Sequence, residues 1–255
     1  MEGLSAVSTS GASHGKWPGG ARAAVSLTYD DGLESHLQYA APAVAARGWR
    51  GNFFVTLENM EDRLVDWQGV AAQGHEIGNH TVHHLCGLPR ARPDSFFHRE
   101  VLAAQTRFDE MFGPQPKIFA YPCGVTDLGP GTPNDQLHRY RELLQAAGYI
   151  AARTSDGEPM SRHYAQTHRF ALNCSAATYE VDSPKEALEY LESARALGRW
   201  AILTFHGLAP KKDESGGTSN AVHEAILDHI SRGPFWCAPM GQVLSHLDGQ
   251  LPTRA

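Results

Sequence analysis

Two adjacent carboxylates stand at the end of an apolar run, in Thr28-Tyr29-Asp30-Asp31-Gly32, and a histidine cluster, His80-Thr81-Val82-His83-His84, follows them. The run Ala23 to Leu27 reads as a buried strand that delivers Asp30 and Asp31 into a loop. In the second cluster His80 and His84 are four residues apart, so a helical turn would place them on one face, able to share one cation. His83, three residues from His80, competes for that place, and spacing alone does not choose between them. One carboxylate and two imidazoles make a three-ligand set with coordination positions left open, as a catalytic site requires.

Each part alone has a plainer reading. Asp-Asp-Gly is an ordinary turn sequence, and in a chain with 14 histidines a pair at this spacing can arise by chance. The weight lies in the conjunction with a third element. Trp200 to Phe205 has strand composition and delivers His206, followed by Gly207. In parallel α/β architectures active-site residues collect at such strand ends.

These motifs, with a Phe-x-x-Pro-x-Gly element at Phe119 to Gly124, resemble the polysaccharide deacetylases, carbohydrate esterase family 4 with its NodB-homology domain. The resemblance runs from Arg22 to Leu247. It implies Asp30 as general base, Asp31, His80 and His84 as ligands of a divalent metal, and His206 as general acid. The fold it implies is a distorted (β/α)7-type barrel in a single α/β domain. The metal expected first is zinc, with cobalt, nickel or manganese as alternatives.

Two positions depart from the pattern. Ala120 stands where the third motif carries an arginine that contacts the base, and Cys123 stands where it carries an aromatic. The backbone N–H of Cys123 can still face an oxyanion. Arg153, on a candidate strand from Tyr149 to Arg153, is expected to reach Asp30 in place of the missing arginine. The fourth, acidic and tryptophan-bearing motif is not evident, and Asp156 is a loose candidate for it. Tyr29 and Tyr121 are candidates to line a pyranose subsite, whereas the tryptophans read as packing.

At 255 residues the chain can bury one large core. A formal charge of −6 without a basic patch argues against nucleic acid and anionic membrane surfaces, and no apolar run is long enough for a membrane span. No protein partner is implied; the expected partner is an acetylated carbohydrate. Residues 1–21 read as a flexible leader without the features of a signal peptide, residues 22–248 as the catalytic domain and 249–255 as a tail. The reading is cytoplasmic, or extracellular or periplasmic if the leader has replaced an export signal. Cys86, Cys123, Cys174 and Cys237 lack a Cys-x-x-Cys and read as free thiols, two bridges being the alternative.

Strands alternate with helices along the chain: a helix at Leu33 to Arg47, a strand at Asn52 to Thr56, a helix from Asp94 to about Phe112, and later helices opening at Ser183-Pro184, Asn220 and Met240. Leu203 is assigned to the barrel interior, and Lys211 to Ser219 to a loop beside the site. Two rival functions remain: hydrolysis of a cyclic amide of the allantoin type by the same metal site, and carbohydrate binding without turnover.

Overall fold

A computed structural model describes residues 17–86, 93–126, 138–175, 181, 183–210 and 217–249. The sequence-predicted segments 1–16 of the leader, 250–255 of the tail and 211–216 of the loop after His206 lie outside the described residues.

Seven parallel strands make one sheet: β1 Ala23–Asp31, β2 Asn52–Val55, β3 Glu76–Asn79, β4 Ile118–Ala120, β5 Ala151–Arg153, β6 Trp200–Phe205 and β9 Phe235–Cys237. The short pair β7 Leu208–Ala209 and β8 Thr218–Ser219 lies apart. The order is β5-β4-β3-β2-β1-β6. One edge of β1 carries β6, and the opposite edge is shared, with β9 at Ala23 to Val25 and β2 at Thr28 to Asp31. This sharing is one distortion of the barrel.

The other distortion is its closure. Between β5 and β6 an irregular segment takes the place of a strand: Leu172 bridges Arg153 and Ser175 bridges Leu203. Leu172 N–H donates to Ala152 O at 3.0 Å, and Ser175 N–H to Ile202 O at 2.8 Å. The expected single α/β domain with a distorted (β/α)7-type barrel is the architecture observed.

Alternation along β1 divides the core in two. Ala23, Val25, Leu27 and Tyr29 pack toward the outer helices. Ala24 packs on the inner side with Phe54, Ile118, Ala151, Trp200 and Ile202. A strand covered on both faces has to be apolar almost throughout, which is why its sequence reads as a continuous run. The same parity carries Ser26, Thr28 and Asp30 inward. Leu203 belongs to the outer, helix-facing cluster; the expectation of an interior position is corrected, because β6 puts Ile202 and Thr204 on the inner side and Leu203 between them on the other.

The helices keep their predicted places with local differences. The first is π-helical over His36–Ala40 before Ala41–Ala46, and the long one is π-helical over Phe97–Leu102 between Pro93–Phe96 and Ala103–Phe112. Asp94 lies inside that helix rather than capping it, and pairs with Arg139 at 2.9 Å. Ser219 caps Asn220–Arg232 by accepting from Val222 N–H, a contact worth about 1 kcal/mol. Gly78 lets β3 pass under Phe54, since a Cβ there would overlap that ring.

Candidate active site

Asp31, His80 and His84 converge at the C-terminal ends of β1 and β3. Asp31 Oδ1 is 3.6 Å from Nε2 of His80 and 3.6 Å from Nε2 of His84. Bonds of about 2.0–2.1 Å to a tetrahedral zinc would set such atoms roughly 3.3 Å apart, so a small closure fits the ion. The two histidines do not sit on a helical turn as expected. The segment after β3 is irregular, with positive φ at Thr81 (73°) and His84 (52°), and it is this folded loop that brings the rings to 4.6 Å between centroids.

His80 presents the arrangement a ligand needs. Its Nδ1–H donates to Ala120 O at 2.9 Å, which leaves the lone pair on Nε2. Nε2 is buried and has no hydrogen-bond partner. A buried nitrogen with a lone pair aimed at a carboxylate and a second imidazole is costly unless something binds there, and a divalent cation is what this donor set fits. His83 turns away. Its N–H and Nδ1 both meet Glu100, at 3.0 Å each.

Asp30 lies beside this set, almost completely buried. Arg153 Nη2 donates to both of its oxygens, to Oδ2 at 2.6 Å. Burial alone would raise the Asp30 pKa, but Arg153 foremost, then His80 and His206, hold it below the ordinary carboxylate value. Arg153 is itself buried, with Phe54 against its guanidinium at 5.0 Å and Thr154 O accepting from Nη1 at 2.9 Å. Burial works against its charge, and Asp30 more than restores it.

His206 closes the group from β6, with Nε2 4.0 Å from Asp30 Oδ2 and 3.9 Å from Asp31 Oδ2. Burial lowers its pKa, while Asp30 and Asp31 pull against that shift. Its backbone is anchored by a residue that the sequence reading passed over. His36 Nδ1 accepts from Leu33 N–H at 3.2 Å, so Nε2 carries the proton and donates to His206 O at 2.9 Å. Both π-helical segments thus hold a residue that braces the site, His36 in one and Glu100 in the other.

A cavity of about 370 Å³ opens over these groups, lined by Asp30, His80, His84, Tyr121, Cys123, Gly124, Arg153, Ser155, Asp156, Thr204 and His206. A larger one, about 680 Å³, lies at the opposite end among Trp17, Arg22, Arg162 and Arg199 and contains none of the predicted site residues. The chemistry points to the smaller. Tyr121 is among the lining residues but only 2% exposed, its hydroxyl donating to Phe170 O at 3.1 Å. Tyr29 is corrected: it is fully buried on the helix side, bonded to His223 Nε2 at 2.8 Å, and no sugar can reach it.

Among the described residues, those with positive φ other than glycine are Asp31, Thr81, His84 and Cys123, all four at this site. Strained backbone persists where the surroundings enforce it. The free-thiol expectation is corrected for two cysteines. Cys86 and Cys123 form a disulfide, because the loop after His84 and the loop after β4 fold against each other and set their Cα atoms 5.4 Å apart. Among the described residues Cys174 and Cys237 are free.

A parallel barrel with carboxylates and imidazoles converging at its strand ends has the layout of a barrel enzyme's active-site face. The family model described as polysaccharide deacetylase matches residues 19–149, and the chain belongs to that family, whose members are hydrolases of acetylated carbohydrate. A gellan lyase from Bacillus sp. is 31% identical over 143 residues, which are 56% of this chain and 5% of that protein; the chain spans about a twentieth of the length of this curated relative. The structure of a putative polysaccharide deacetylase from Mycobacterium smegmatis is similar with a TM-score of 0.64 and 18% identity, covering 94% of this chain and 96% of that one. That of Puue allantoinase has a TM-score of 0.67 and 16% identity, covering 96% of each. At these identities the likeness is one of fold. Among the described residues no helix is long and apolar enough to cross a membrane.

Proposed function

We propose that this protein removes acetyl groups from an N- or O-acetylated carbohydrate by attack of water, with Asp31, His80 and His84 holding one divalent cation, zinc first and cobalt, nickel or manganese as alternatives. The observation that carries the reading is the buried, partnerless Nε2 of His80, aimed with His84 at Asp31 beside the Asp30–Arg153 pair. When bound there, a divalent cation supplies Lewis-acid polarisation of the acetyl carbonyl and a lower pKa for the attacking water.

The remaining work belongs to the chain. Asp30, kept ionised by Arg153, takes the proton of the attacking water. The Cys123 N–H is assigned to the oxygen on which negative charge develops, Cys123 lining the cavity in a loop where its φ is 53°. His206 gives a proton to the departing amine or alkoxide. Arg153 does what the third-motif arginine would do, reaching Asp30 from the strand next to Ala120. Tyr121, which lines the cavity but is almost wholly buried, bounds the space a pyranose would fill, and Asp156 on the rim offers a hydroxyl acceptor.

Acetate release from chito-oligosaccharide and from acetylated xylan, measured after chelation and after adding back zinc or cobalt, tests the proposal. Metal-dependent acetate release is the expected result. Ring opening of a cyclic amide without acetate release would replace the reading with the allantoin-type one, and saccharide binding without either reaction would leave a binding protein.

A further inference from the structure

His84 faces two ways. Its Nε2 lies 3.6 Å from Asp31 Oδ1, and its Nδ1 lies 3.9 Å from Cys86 Sγ. Cys86 is in turn joined to Cys123. The ligand atoms of His84, Cys86 and Cys123 all lie within 4.8 Å of one another, as do those of Asp31, His80 and His84. Two three-ligand sets therefore share one imidazole.

We infer that His84, Cys86 and Cys123 are a second metal site, closed while the cysteines are joined and opened by reduction, which takes a thiophilic ion of the zinc and cobalt class and withdraws His84 from the Asp31 set. Its geometry needs no other reading, but the consequence for His84 rests on the proposed function above.

The chemistry follows from the donors. A disulfide sulfur carries no hydrogen and is a poor ligand, so in the joined state His84 Nδ1–H is the donor toward Cys86 and the lone pair sits on Nε2, toward Asp31. Reduction by a phosphine consumes one water: the phosphine becomes its oxide, the S–S bond breaks, and each sulfur gains a hydrogen. On binding the ion each thiol releases its proton to solvent, giving two thiolates and an imidazole, a set that soft and borderline cations favour over one carboxylate and two imidazoles. A neutral imidazole has one lone pair. To bind at Nδ1, His84 moves its proton to Nε2, and Asp31 and His80 lose their third partner. Both cysteines are exposed, so a reductant in solvent reaches them.

The test is an optical titration of the full chain, stripped of metal by a chelator, with cobalt(II) before and after phosphine treatment. The reduced protein is expected to show thiolate-to-cobalt charge-transfer absorption in the near ultraviolet, saturating at a single cobalt per chain, and the oxidised protein none. Reduced Cys86→Ser and Cys123→Ser are each expected to lose the band. A reduced wild-type protein that binds cobalt without the band overturns the site, as does a band that survives either serine variant. Two cobalts per reduced chain would overturn the sharing of His84. His80→Ala separates this from the active-site reading, because His80 belongs to the Asp31 set alone. Oxidised His80→Ala should lose cobalt and reduced His80→Ala should keep the band; if the oxidised variant binds cobalt as before, the active-site reading fails while the thiolate site stands.

Discussion

Ala120 and Arg153 are direct neighbours across the β4–β5 pairing. The guanidinium that the third motif lacks at position 120 arrives from one strand further along, at the same height in the barrel, and Nη2 meets Asp30 Oδ2 at 2.6 Å.

Removing it tests that exchange. Arg153→Ala leaves Asp30 buried without its partner, a change that costs about 3–5 kcal/mol of stability, and kcat is expected to fall by about 100-fold or more as the base loses its ionised state and its orientation. Adding Ala120→Arg to that variant returns a guanidinium to the neighbouring strand and should recover part of both losses. Thermal melts and steady-state acetate release measure the two effects; unchanged turnover in Arg153→Ala would remove Arg153 from the mechanism.

The two adjacent aspartates should separate cleanly. Asp30→Asn keeps the shape of the pocket and the Asp31, His80 and His84 donors, so zinc content by elemental analysis should match wild type while kcat drops by about 100-fold to 10,000-fold. Asp31→Asn removes the anionic ligand and is expected to bring zinc content down with activity. If Asp30→Asn is the variant that loses zinc, the roles are reversed.

The strands that carry Asp30, Arg153 and His206 were legible because buried parallel strands are apolar on both faces and end where the polar residues begin. The loop that gathers Asp31, His80 and His84 was not. His80 and His84 suggested a helical turn, yet β3 runs to Asn79, and the approach of the rings depends on left-handed backbone at Thr81 and His84, which residue type does not announce outside glycine. The choice of His84 over His83 could not come from spacing, since it depends on Glu100, seventeen residues on, drawing His83 away. The Cys86–Cys123 pair was hidden for the same reason: it joins two loops that only the barrel makes adjacent. The segment at Leu172 to Ser175, which closes the barrel without forming a regular strand, has no periodicity to read.

His36 ties the turn after Asp31 to the carbonyl of His206. His36→Phe fills the space but loses both hydrogen bonds, leaving two backbone groups short of a partner at about 1–3 kcal/mol each. Because His36 touches neither substrate nor metal ligands by its side chain, kcat is expected to fall by about tenfold with KM and zinc content near wild type. A proportionate rise in KM with kcat unchanged would mean that His36 shapes the pocket and not the position of His206.

Acid should destabilise this protein well above the carboxylate range. Burial holds the pKa of His36 down at about 4, that of His75, with Arg50 adding to it, at about 4, and that of His223 at about 3. In the unfolded chain each returns to about 6.5. Below that value the unfolded state binds protons that the folded state does not, so stability is full at neutral pH and is lost as pH falls from about 6.5 toward 4. Each such histidine contributes at most about 1.4 kcal/mol per pH unit to the slope. His83, whose pKa Glu100 raises, runs in the opposite sense, but its side chain is half exposed and its share is small. Urea unfolding from pH 7 to pH 4.5 measures the slope, and His223→Phe isolates one group away from the metal ligands. That variant is expected to be less stable at pH 7, because the Tyr29 hydroxyl loses its acceptor, yet to have a slope flatter by about 1 kcal/mol per pH unit. A slope unchanged by the substitution would mean that His223 takes up its proton as readily in the folded chain as in the unfolded one.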